Sequence, residues 1–172
     1  PYDNTGLNTL NTLFDNILKT IETGYKELAS SKDQRDSFAS HILRAVENTL
    51  APLRALDKSD QLDEEIDINV SQDKPEDMAD IRVDKDEQDR EDFGIEGEDL
   101  TGRDKAYETF NKVETQIVEA YKTLHNQEDI KAFYDGLLMN LDLYFKKFED
   151  EIKPEVEAPE TAADVQPEPD VG

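Results

Sequence analysis

The sequence predicts an all-α protein built from two duplicated antiparallel helical hairpins, joined by a long acidic segment with possible short strands. Three observations carry this prediction. Residues 5–58 repeat in 101–153, pairing Thr5 with Thr101, Gly6 with Gly102, Phe14 with Phe110, Ile21 with Ile117, Tyr25 with Tyr121, Lys26 with Lys122 and Leu28 with Leu124. One residue of slippage in the turn then pairs Phe38 with Phe133, Leu43 with Leu138 and Lys58 with Lys153. Second, apolar residues recur at alternating spacings of three and four through four segments, the period of a helix with one buried face. Third, the stretches outside the repeat are acidic and too poor in apolar residues to build a core. Helical period alone forces shared apolar positions. The Thr-Gly start and the Tyr-Lys pair lie outside that stripe and indicate duplication.

The first helix reads from about Thr5 to Ser30, with a seam of Leu7, Leu10, Phe14, Ile17, Ile21, Gly24 and Leu28, widened by Leu13, Leu18 and Tyr25. Ser31 with Gln34 forms a capping box for the second helix, whose face is Phe38, Ile42, Ala45, Val46, Thr49, Leu50, Leu53 and Leu56. Pro52 is expected to kink that helix or end its regular part near Ala51. Thr101 with Asp104 is expected to cap the third helix, and Asn126 with Asp129 the fourth. The third carries Ala106, Phe110, Val113, Ile117, Ala120 and Leu124 on one face. The fourth carries Ile130, Tyr134, Leu137, Leu141, Tyr144 or Phe145, Phe148 and Ile152, with Phe133, Leu138, Met139 and Leu143 outside the stripe. So apolar a girth suits the most buried helix, or one that touches a partner on a second face. Short turns predict antiparallel neighbours within each hairpin. The two hairpins then share a core as a four-helix bundle, or dock separately on something else.

Residues 59–100 exceed any ordinary helix–helix loop and read as a functional or disordered connection. Ile66, Ile68 and Val70, then Ile81 and Val83, alternate as brief strands over 66–70 and 79–83 do, suited to pairing with each other or adding to a partner's sheet. Phe93 and Ile95 form a second apolar island that either packs on the bundle or docks elsewhere. The tail, 154–172, is acidic and Pro-rich, and is expected to be disordered unless bound.

The net charge of −24 is unevenly placed. Residues 57–99 hold 19 acidic and 5 basic side chains, and 154–172 hold 6 acidic and none basic, leaving the helical remainder at −4. Such a surface repels nucleic-acid phosphate and anionic membrane, so neither is an expected direct partner. No apolar run reaches the length of a spanning helix, and no secretion signal opens the sequence, so a virion or a host cytoplasm is the expected location. With no Cys, thiolate chemistry and disulfides are absent.

No cofactor, metal or catalytic residue is predicted. Neither His41 nor His125 has the Glu three residues earlier that a di-metal bundle requires, since Phe38 and Lys122 stand there. His125 suits a helix C-terminus, and His41 a packing or surface role. Asp84, Asp86 and Asp89 begin an acidic loop that lacks the glycine of a calcium site and has Ile95 where its final carboxylate belongs. Phosphate loops and nucleophile elbows are missing, so the chain reads as no enzyme.

What remains is interaction. Tyr25, Tyr121, Phe133 and Tyr134 either fill the bundle core with hydroxyls at its rim or form an aromatic binding surface. Tyr25 and Tyr121, as equivalent positions, are the best surface candidates. With Ile66, Ile68, Val70, Ile81, Val83, Phe93 and Ile95 they make up the candidate protein-binding residues.

The run Thr101-Gly102-Arg103, with Phe110, Ile117, Tyr121, Phe133-Tyr134 and an acidic helix end, resembles small acidic helical structural proteins of tailed bacteriophages, those associated with head, portal or neck. The likeness covers the second hairpin and, through the repeat, the first. It implies a virion or assembly component that binds other structural proteins in many copies. Charge leaves two alternatives: an acidic DNA mimic or chaperone on a basic nucleic-acid-binding site, and a transient assembly scaffold.

Overall fold

A computed structural model describes residues 4–62 and 82–165, with side chains over 4–56 and 87–152. Among the described residues the backbone forms α1 (Thr5–Lys26), α2 (Lys32–Leu62), α3 (Arg82–Phe93), α4 (Leu100–Lys122) and α5 (Gln127–Val165), with no strand. The protein is all-α, and its four long helices pack as a bundle.

The caps follow local chemistry. Asn4 Oδ1 accepts the Leu7 N–H at 3.0 Å, Ser31 Oγ that of Gln34 at 3.2 Å, and Asn126 Oδ1 that of Asp129 at 2.8 Å. For α4 the cap is Asp99, whose carboxylate accepts the Gly102 N–H at 2.8 Å, and the expected Thr101 lies within the first turn. A carboxylate outperforms a hydroxyl there, because it also meets the positive end of the helix dipole. Further, α2 runs through Pro52 to Leu62. Pro52 and Asn48 are both exposed, so the carbonyl that loses its partner faces water.

The expected stripes supply most of the core, with two departures: Leu56, expected on the inward face of α2, is exposed, and Phe133, expected outside the α5 stripe, is buried. Ile17, Ile21, Phe38, Ile42, Val46, Val113, Ile117, Phe133, Leu137 and Leu141 are fully buried. The pairing of helices differs from expectation. Among the long helices, those linked by short turns pack least, and each instead packs on both helices of the other hairpin. Small residues supply the reason. Gly6 lies against the Asp129 carbonyl, Gly102 against the Gln34 carbonyl and Ser37, and Gly136 against Leu10, so close approaches fall between hairpins. Hairpin partners therefore stand diagonally across the bundle.

Register fixes the directions. From Gly6 beside Asp129 to Phe14 beside Tyr144, α1 and α5 run parallel, and α2 and α4 do likewise from Gln34 beside Gly102 to Thr49 near Glu114. The bundle is thus up-down-down-up. The chain must travel back along it between α2 and α4, about 35 Å for a helix of this length, and that requirement explains much of the long connection. Part of it is α3, held to α4 by Arg90, which stacks on Tyr107 at 4.8 Å and faces Asp104 at 3.7 Å and Glu108 at 3.8 Å. Val83 belongs to this helix rather than to a strand, since two alternating apolar residues are too few to resist the helical propensity around them. Ile66, Ile68, Val70 and Ile81 lie outside the described residues. In the tail, α5 continues through Pro154 and Pro159 to Val165.

The two halves are related by a pseudo-two-fold axis across the bundle. Tyr25 meets Phe38 edge-on at 6.0 Å and 79°, and the repeat-equivalent Tyr121 meets Phe133 at 6.3 Å and 73°. The contacts of Gly6 and Gly102 are likewise equivalent, as in the isologous interface of a symmetric dimer.

Candidate interaction surfaces

Sequence placed its main hopes on aromatic residues, and the fold turns most of them inward. Tyr25, Tyr121 and Phe133 are buried among other rings, so their partners are the bundle's own side chains. Tyr134 is half-buried on α5, its ring covered by the Arg54 guanidinium at 3.9 Å. Phe93 and Ile95, both half-buried, pack on the bundle: Phe93 meets Tyr107 edge-on at 5.4 Å and stacks on His41 at 5.8 Å.

The Tyr25 hydroxyl is part of a buried charged cluster that ties three helices. It donates to Glu149 Oε1 at 2.6 Å, while Arg35 Nε and Nη2 grip both carboxylate oxygens at 2.7 and 2.9 Å. Arg35 Nη1 also donates to the Leu28 and Ala29 carbonyls, closing the end of the first turn. The Arg35 hydrogen bonds, above all, hold the Glu149 carboxyl down to about 2. Burial and the neighbouring carboxylate push the Tyr25 phenol well above its ordinary value, so it stays a proton donor. Sequence reasoning overlooked this cluster, although extending the α2 stripe back from Phe38 lands on Arg35. Tyr25→Phe is expected to cost about 2 kcal/mol in urea denaturation, the net value of one hydrogen bond to a charged acceptor.

One face of the bundle, between α1 and α4, carries two hollows of about 480 and 210 Å³. Every residue lining the first has its repeat equivalent lining the second. Thr9, Asn16 and Thr115 in the larger correspond to Lys105, Lys112 and Lys19 in the smaller. Duplication has kept the lining positions and changed the size and the charge.

The outer face of α5 shows what sequence reasoning did not nominate. Met139 and Leu143 are 62 and 54 % exposed, one helical turn apart. Their signal was present: both lay outside the stripe on the most apolar helix. Among the described residues no cluster of His, Asp and Glu is placed to hold a metal ion, and no helix is long and apolar enough to cross a membrane. Comparison with protein-family models, curated proteins and solved structures finds no match to this chain.

Proposed function

We propose that the chain is a non-enzymatic structural or assembly protein that binds other proteins, and, following the resemblance of its hairpins, a component of the head or neck of a bacteriophage. The observation that carries this reading is the exposed Met139–Leu143 step: Leu56 and Leu100 are exposed as well, but on other helices, whereas Met139 and Leu143 adjoin on one turn of α5. Large apolar side chains neighbouring one another on a surface favour a protein partner. The acidic stretches on either side of the second hairpin support the same reading, since they repel nucleic acid and discourage indiscriminate association.

Sedimentation of the full chain with assembled particles tests it. The wild type is expected to travel with them at fixed stoichiometry, and the double variant Met139→Lys, Leu143→Lys to stay behind. Its melting temperature should hold, because exposed substitutions shift stability by no more than about 0.5 kcal/mol. A wild-type chain that never joins a particle, or a double variant that joins equally well, would overturn the proposal.

A further inference from the structure

The acidic connection ends in a strap, residues 93–99, fastened to α2 by a histidine. His41 is buried, 1 % exposed. Its Nδ1 lies 2.7 Å from the Ser37 carbonyl oxygen, which can only accept, so Nδ1 carries the proton. Nε2 is then the acceptor, and it receives the Ile95 N–H at 2.8 Å. The ring stacks on Phe93 with 15° between planes, and Ser37 Oγ donates to the Asp99 carbonyl at 2.7 Å. Between these anchors the strap turns at Gly97, whose φ of 88° suits glycine.

We infer that His41 is the proton-operated fastening of this strap, closed while its imidazole is neutral and released when Nε2 takes a proton from solvent. A protonated ring donates from both nitrogens, so Nε2–H would then face Ile95 N–H, donor against donor, inside the fold. No other residue needs to change its bonding. The charged groups around the ring come from three elements: Arg44 on α2 and Arg103 on α4 oppose protonation, and Glu98 on the strap favours it, while α3 presents the Phe93 ring. Burial is the largest influence and holds the imidazole below its ordinary range, so the strap is closed at neutral pH. The direction follows by linkage. As pH falls, the unfolded chain takes the proton first, so the fastening contributes fully above the ordinary imidazole value and is lost through the lower one. Release frees the Phe93 ring from Tyr107 and Phe110 and uncovers the groove between α2 and α4. Mild acid would thereby expose aromatic surface beside the most acidic part of the chain.

Amide hydrogen exchange on the full chain, read by NMR between about pH 8 and about pH 4 alongside the His41 ring signals, tests the inference. The Ile95 amide, corrected for its intrinsic rate, is expected to lose roughly tenfold or more of its protection in step with His41 titration, while Ile42 and Ile117 keep theirs. In His41→Phe, which can stack but not accept, Ile95 should exchange fast at every pH. Should that variant fail to fold, His41→Gln, an acceptor that does not titrate, should keep Ile95 protected into acid. Constant Ile95 protection across the titration, loss only together with Ile42 and Ile117, or a wild-type pH profile in His41→Gln would each overturn it.

Discussion

Gly102→Val is expected to destabilise the protein by about 3 kcal/mol, and Gly6→Val by nearly as much, at the upper end of what overpacking costs. A Cβ at Gly102 would fall on the Gln34 carbonyl and on Ser37, and one at Gly6 on the Asp129 carbonyl. The obstacle in each case is backbone in the first turn of a neighbouring helix, which cannot escape by changing rotamer. The helices must separate, and α4 would pull away from Ser37, which also holds the Asp99 carbonyl. Thermal melts should fall by roughly 10 °C for a chain of this size. Alanine sharpens the test through its sign. Gly→Ala at an unconstrained helical position stabilises by about 1 kcal/mol. Here both alanine variants should lose stability, and by similar amounts, because the sites are related by the pseudo-two-fold axis. A gain at either would mean that the interlocked contact is not formed there.

Those glycines show how far sequence carries the fold. The Thr-Gly start was legible as a mark of duplication, but its purpose was not, since only packing reveals what lies opposite a missing Cβ. The stripes were legible because burial and helical period reinforce each other from Leu10 to Leu28 and from Ile130 to Ile152. Which helices become neighbours was not. Leu13, Tyr25 and Phe133 widen the stripes, and a wide stripe is compatible with adjacent or diagonal hairpins alike. Diagonal placement follows from close approaches at Gly6, Gly102 and Gly136, none of which the period distinguishes.

The candidate surfaces were legible in type more than in place. An aromatic side chain serves a core and an interface equally well, and Tyr25, Tyr121 and Phe133 went to the core. Met139 and Leu143 stood outside the stripe together with Phe133 and Leu138, so the period alone did not separate the two exposed residues from the buried Phe133. His41 could not have been read at all as a fastening, for its partner is the backbone N–H of Ile95, far along the chain. Any residue but proline supplies such a donor, so it leaves no trace in sequence.

The charged cluster yields the second large expected effect. Glu149→Gln keeps the shape of the side chain and most of its hydrogen bonds, yet leaves Arg35, 4 % exposed, without a counter-charge. Removing one partner of a buried pair costs about 3 kcal/mol or more, far above the value of a surface pair. Replacing the group together, as Arg35→Met, Glu149→Leu and Tyr25→Phe, should restore stability to within about 1 kcal/mol of wild type, since apolar packing then takes the place of desolvated charge. The pH dependence supplies an independent check. Because Arg35 holds the Glu149 carboxyl down to about 2, the unfolded chain takes this proton first, so its contribution is complete above the ordinary carboxylate value and disappears as pH falls toward about 2. The gap between wild type and Glu149→Gln should therefore be wide at neutral pH and narrow in strong acid, as read from urea midpoints; an unchanging gap would mean that charge is not what is lost. The repeat makes the point sharper. The position equivalent to Glu149 in the first copy is Arg54, which stacks on Tyr134 instead. Duplication preserved the apolar centre, and the ends diverged into an ion pair at one and a cation–π contact at the other, which gives an otherwise two-fold bundle distinguishable poles.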